Sequence, residues 1–176
     1  MERDEFLKKY NVLNYFIDDF DRVCVDGSVL LNNIQLTEIP FQFGVVKGDF
    51  NISENRLKSL EGCPMEVGGT FDCSSNLLTS LEYAPSKVGG SFYCYVNKLV
   101  DLQGSPSYIE GNFMAAYNKL KSLEGCPEDI YGLFDVSFNP IVNFDYFPMN
   151  ARAGFYCDLV RGLDEFKERS SFQKNY

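Results

Sequence analysis

The sequence predicts a repeat solenoid of the α/β type, mostly β. Two observations carry that prediction. The stretch Gly69–Leu81, GTFDCSSNLLTSL, recurs at shifts of 21 residues. Upstream it reads GDFNISENRLKSL (Gly48–Leu60); downstream it reads GSFYCYVNKLVDL (Gly90–Leu102), GNFMAAYNKLKSL (Gly111–Leu123) and GLFDVSFNPIVNF (Gly132–Phe144). The hexapeptide SLEGCP stands at Ser59–Pro64 and again, three periods on, at Ser122–Pro127. A fixed period near 20 residues marks stacked coils. Within each copy, moreover, phenylalanine alternates with a small apolar residue at period two, the spacing that puts both on one face of a short strand.

Bulk composition bounds the rest. A chain of 176 residues suits one domain, and a hydrophobic fraction of 45% is ordinary for a globular protein. No apolar run approaches the length of a spanning helix. The opening MERDEFLKKY is charged and carries no apolar core of a secretory signal, so the expected compartment is the cytoplasm. A net charge of −9 disfavours direct nucleic-acid binding and an anionic membrane surface. It permits a basic protein partner or mimicry of nucleic-acid charge. There are six cysteines and no histidine, which removes the commonest general base and the commonest metal ligand.

Taken in order, residues 1–26 read as an N-terminal cap. Phe6, Tyr10, Leu13, Phe16, Ile17 and Phe20 recur at helical steps and predict an amphipathic helix over residues 4–20, with Asp4 as its N-cap. Solenoid ends must be covered, so capping is the expected role and partner binding the competing one. Arg22–Leu31 reads as a hairpin about Asp26-Gly27, and it also opens a degenerate repeat. Gly27, Val29, Leu31, Leu36, Ile39 and Val46 lie one period before Gly48, Phe50, Ile52, Leu57, Leu60 and Val67.

The solenoid proper spans residues 27–157. Phe50, Phe71, Phe92, Phe113, Phe134 and Phe155, with Ile52, Cys73, Cys94, Ala115, Val136 and Cys157, should line its interior. Leu57, Leu78, Leu99, Leu120 and Ile141 close the following bend; Leu60, Leu81, Leu102, Leu123 and Phe144 anchor the return side. Asn55, Asn76, Asn97, Asn118 and Asn139 form a column whose amides can satisfy backbone groups inside the bend. Pro64, Pro85, Pro106, Pro127 and Pro148 keep the return arm extended. The glycines at Gly48 and its four equivalents permit a bend that a Cβ would obstruct.

These residues resemble the leucine-rich repeat family, whose L-x-x-L-x-L-x-x-N-x-L is matched as F-x-C-x-x-N-x-L. The first leucine slot departs: it holds Lys47, Gly68, Gly89 or Glu110, and the apolar residue sits one place earlier, at Val46, Val67, Val88, Ile109 and Ile130. The short coil and its proline look like the short repeats of bacterial effectors and of phage proteins. The resemblance implies a short parallel sheet on a concave face, return arms of mostly irregular extended backbone, an N-terminal helical cap and a short C-terminal helix. Residues 158–176 would supply that cap and tail, with the helix around Leu163–Arg169.

Strand positions between the inward residues should face outward. In early coils they are small and polar; later they turn aromatic and apolar. Tyr93, Tyr95, Met114, Tyr117, Phe138 and Tyr156 are the candidate anchors for a protein partner, and Asp72, Asp135 and Asp158 the candidate steering charges for a basic one. The leading expectation is a non-enzymatic protein-binding scaffold. If phage or bacterial, it would inhibit a host or defence protein, in the host cytoplasm if phage-encoded. The alternative is an acidic nucleic-acid mimic. A glycosidase-like use of Asp72 and Asp135 is disfavoured, since they stand three coils apart. A second acidic column, Glu61, Glu82, Glu124 and Asp145, reads as a solvated edge, an attraction for a basic partner or a weak calcium site. The cysteines read as buried and reduced; no metal or cofactor is expected.

Overall fold

The computed structural model describes residues 2–148, 150–151 and 153–158. The described residues form a mostly β, parallel-sheet solenoid of about 6 turns with a 21-residue spacing, and one short helix lies among them. Each full turn contributes one strand to each of two sheets. The first sheet has eight strands in the order β1 (Tyr15–Ile17), β2 (Val23–Val25), β4 (Phe43–Val46), β6 (Glu66–Val67), β8 (Lys87–Val88), β10 (Tyr108–Ile109), β12 (Asp129–Ile130) and β14 (Asn150–Ala151). The second has seven, running from β3 (Val29–Leu30) through β5 (Phe50–Asn51), β7 (Phe71–Asp72), β9 (Phe92–Tyr93), β11 (Phe113–Met114) and β13 (Leu133–Asp135) to β15 (Gly154–Tyr156). Neighbours are parallel and in register, Phe71 opposite both Phe50 and Phe92, except for the antiparallel pair β1–β2 and a register shift between Val23 and Val25 where β2 meets β4.

The eight-stranded sheet corrects the expectation of an irregular return arm. Val46, Val67, Val88, Ile109 and Ile130 are its inward column, each at most 1% exposed. The apolar residue that sits one place early in the repeat therefore has a strand of its own to fill. The sheets meet at a glycine corner, where Gly90 N–H donates to Gly69 O at 3.0 Å. A Cβ on Gly90 would lie 2.8 Å from the Gly69 carbonyl carbon. The glycine is needed because coils approach closely there, a stacking requirement rather than a bend requirement.

The core follows the expected columns. Phe50, Phe71, Phe92, Phe113 and Phe134 are fully buried, and successive rings from Phe43 to Phe155 stand 5.0 to 6.0 Å apart. Leu57, Leu78, Leu99 and Leu120 are fully buried, as are Leu60, Leu81, Leu102 and Leu123, and the five prolines are buried with them. The asparagine column works as a backbone substitute. Asn97 Nδ2 donates to the carbonyls of Cys73, Cys94 and Tyr95, and its Oδ1 accepts the Leu78 N–H at 3.0 Å. The same set recurs at Asn76, Asn118 and Asn139.

The N-terminal segment departs from expectation. Helix α1 covers only Arg3–Lys9, and its N-cap is Glu2, which makes no side-chain cap bond. Asp4 lies in the first turn and accepts the Tyr15 hydroxyl at 3.0 Å. The helix stops because Asn11 is left-handed, φ 54°. Asn11 N–H then bonds Lys8 O and Val12 N–H bonds Leu7 O, closing a Schellman-type terminus with Leu7 and Val12 both buried. Phe6 and Leu7 join the core, Phe6 packing on Phe41 at 5.4 Å. Residues 15–17 turn instead into β1, whose loop to β2 is held by Asp18, and Leu13, Phe16 and Phe20 are exposed.

The hairpin about Asp26-Gly27 does not form. Strand β2 pairs with β1 and β4, while β3 pairs with β5 in the other sheet, so Asp26-Gly27 is the first sheet-to-sheet corner. The degenerate-repeat reading of the same stretch holds: Val29 pairs with Phe50, and Gly48 N–H bonds Gly27 O. The C-terminal helix expected around Leu163–Arg169 lies outside the described residues.

Candidate protein-binding face

Strand alternation fixes which side chains leave the seven-stranded sheet. With Phe71, Phe92, Phe113 and Phe134 inward, their successors form one outward row. Asp72 pairs with Tyr93, Tyr93 with Met114, Met114 with Asp135 and Asp135 with Tyr156. Five of the nine candidate residues thus stand on adjacent strands, about 4.8 Å apart. Tyr93, Met114, Asp72 and Asp135 are half-buried, and Tyr156 is exposed. Tyr95 lies beside Tyr93, ring centroids 6.3 Å apart. Asp72 and Asp135 are separated by three strand spacings, about 14 Å, beyond the reach of a paired-carboxylate glycosidase.

The acids are less free than the sequence suggests. Asp72 Oδ1 accepts both the backbone N–H and the hydroxyl of Ser74, and Ser74 is buried rather than outward-facing. Asp135 makes the same two bonds with Ser137. Asn51 does so with Ser53, also buried, so the arrangement needs an acceptor and not a charge. Asp158 accepts the N–H of Phe138, where the preceding coils use a backbone carbonyl. All three carboxylates hold the turn after the strand.

That turn carries the feature the sequence conceals. Glu54, Ser75, Val96, Tyr117 and Phe138 are all left-handed, φ 53–56°. Each precedes the column asparagine and projects outward. Tyr117 and Phe138 stack in parallel, centroids 4.1 Å apart, and remain 53% and 56% exposed. Left-handed backbone favours glycine, asparagine and aspartate, so bulky and β-branched residues there are conformational outliers. A second left-handed column fits that preference better: Gly62, Gly104 and Gly125 occupy it, with Tyr83 and Tyr146 interposed.

Beyond each asparagine, the slots flanking the buried leucine also face outward. Here stand Lys98 and Val100, then Lys119 and Lys121, then Val142, all exposed. This corner was missed because each slot varies in type. Aligning coils by slot, rather than scanning for motif residues, would have revealed it.

Elsewhere the chemistry is sparse. Glu61, Glu82, Glu124 and Asp145 are exposed, each with its N–H held by the side chain two residues earlier, and Gln103, which interrupts the column, is held the same way by Asp101. Among the described residues no group of three His, Cys, Asp or Glu could hold a metal ion. Cys63, Cys73 and Cys94 are buried, and burial pushes their thiols up, away from the reactive thiolate. An open depression of ≈ 360 Å³ is lined by Arg22, Gln42, Gly62, Met65, Tyr83 and Ser86, none of them a candidate residue. No helix among the described residues is long and apolar enough to cross a membrane.

Fold and face together define a class, a parallel β-solenoid with an apolar corner on its later coils. No family model, curated protein or solved structure matches the chain.

Proposed function

We propose that the chain is a non-enzymatic scaffold that binds a protein partner with the outward face of the seven-stranded sheet and the corner beside it. The observation that carries this reading is the exposed stack of Tyr117 and Phe138 on left-handed backbone. Folding alone favours Asn or Gly there, and strained, exposed residues cluster where a surface is used. Tyr93, Tyr95, Met114 and Tyr156 extend the same surface, and exposed aromatics are typical interface anchors. The leucine-rich-repeat-like label, the cytoplasmic setting and a role for a phage or bacterial factor against a host or defence protein belong to this proposal.

The test exploits the strain. Tyr117→Asn/Phe138→Asn replaces both rings with a residue that tolerates left-handed backbone. Partner capture from lysate of the source cell or its host should be lost, while thermal stability is kept or rises. Capture that survives both this variant and Tyr93→Ala/Tyr95→Ala/Tyr156→Ala would place the interface elsewhere. Capture that survives both and is displaced by duplex DNA would favour the acidic nucleic-acid mimic.

A further inference from the structure

The solenoid body distributes its charges unevenly. Between residues 50 and 148 the six basic residues are Arg56, Lys58, Lys87, Lys98, Lys119 and Lys121. Lys87 lies on the eight-stranded sheet, 3.8 Å from Glu66. The other five all occupy the two slots flanking the inward leucine, at Leu57, Leu99 and Leu120. In a chain of net charge −9, the positive charge of the body is gathered along one edge.

On the last three coils that edge is also apolar. Val96, Val100 and Val142 are 45%, 49% and 71% exposed, and they alternate with the lysines beside the Tyr117–Phe138 stack. The backbone is continuous across it, since Lys119 N–H bonds Leu99 O and Val142 N–H bonds Lys121 O. Residues 96–100, 117–121 and 138–142 contain no carboxylate. The next one along the chain, Asp101, accepts the Gln103 N–H at 3.1 Å. Among the described residues Lys98, Lys119 and Lys121 make no ion pair.

We infer that this corner, with Lys98, Lys119 and Lys121 set around Val100, Tyr117 and Phe138, docks an acidic, apolar peptide segment of the partner. The inference rests on the binding reading above and names the chemistry of what is bound. Lysines ringing an apolar centre complement a peptide that alternates carboxylates with bulky side chains, the charges setting approach and register and the rings supplying the anchor. The carboxylates expected to draw a basic partner already accept backbone N–H groups, Asp72 and Asp135 in their own turns and Asp158 in that of Phe138, whereas these lysines are exposed. A single-stranded nucleic acid fits less well. Tyr117 and Phe138 spend a face on each other, and bases need open ring faces to stack on.

The test is selection of a random short-peptide display library on three immobilised full-length proteins: wild type, Lys98→Glu/Lys119→Glu/Lys121→Glu and Tyr117→Asn/Phe138→Asn. All substituted positions are exposed, and thermal unfolding checks each variant's fold. Wild type should enrich peptides that are net negative and rich in aromatic or aliphatic residues. The charge-reversal variant should bind those peptides at least about tenfold more weakly. Enriched peptides that are neutral or basic, or that bind the charge-reversal variant equally well, overturn the inference. If such peptides are still lost with Tyr117→Asn/Phe138→Asn, the binding face itself survives. If the aromatic variant also keeps them, or nothing is enriched, both readings fall. Displacement of an acidic peptide by oligothymidylate at equimolar amounts would assign the corner to single-stranded nucleic acid instead.

Discussion

Asn97 shows how much of this fold rests on one side chain per coil. It is 9% exposed, donates to three carbonyls and accepts the Leu78 N–H. Asn97→Ala leaves the buried Leu78 N–H without a partner, at roughly 1–3 kcal/mol for the unsatisfied group. It also takes one of two donors from each carbonyl, since Cys73 keeps Asn76, Cys94 keeps Asn118 and Tyr95 keeps the Ser75 N–H. The expected loss is about 2–3 kcal/mol in urea unfolding. Asn139→Ala should cost less, because that residue is only half-buried. Equal losses would mean that water does not relieve the end of the column. The asparagine role was legible in the sequence, because an invariant polar residue between apolar slots needs a buried task. The left-handed residue before it was not. Glu54, Ser75, Val96, Tyr117 and Phe138 share a conformation but no residue type, and a propensity reading of Val96 or Phe138 points toward a strand. There the coil's hydrogen-bond ladder overrides local preference.

At the scale of elements, the β1–β2 hairpin is tied by Asp18. Its carboxylate meets the Arg22 guanidinium at 2.7 Å and accepts the N–H groups of Phe20 and Arg22. The Arg22 side-chain bond, aided by those N–H groups, holds the Asp18 carboxyl below its ordinary value of 3.8, at about 2. A depressed folded-state value contributes stability that is present above the ordinary value. That stability is lost as pH falls from about 4 to about 2. The Asp18 carboxyl resonance should therefore titrate near 2 in the folded protein. In Asp18→Asn the hairpin's contribution to acid unfolding over that window should vanish. A titration near 3.8 would show the pair to be loose in solution. The same segment explains why the helix reading overreached. Phe6, Tyr10, Leu13 and Ile17 keep helical spacing, but Lys8, Lys9 and then Asn11 spell a helix stop, and Asn14 and Asp21 supply two more left-handed turns. Periodicity outvoted punctuation. The eight-stranded sheet was underread for a related reason: a two-residue strand such as Glu66–Val67 shows one inward residue per coil, too little for alternation to register.

For the whole molecule, the coil is the unit that the chain can gain or lose. Each turn contacts its neighbours through the same ladders, Phe113 pairing with Phe92 just as Phe92 pairs with Phe71. Stability is then close to a sum of coil and interface contributions. Deleting Gly90–Glu110 removes one full 21-residue period and joins Gly89 to Gly111. Phe71 would meet Phe113, and Asn118 would take the Leu78 N–H that Asn97 serves now. The shortened chain should fold, with a β circular dichroism spectrum and a lower melting temperature. A deletion of half that length should unfold it, because the slip brings outward residues into the core. If the full-period deletion unfolds the chain, or the half-period deletion does not, stacking in register is not what organises the molecule. The deletion also removes Tyr93, Tyr95, Val96 and Lys98 while leaving Lys119, Lys121 and the Tyr117–Phe138 stack in place. Residual binding of a selected acidic peptide by the shortened chain would therefore measure how much of the docking corner resides in the last two coils.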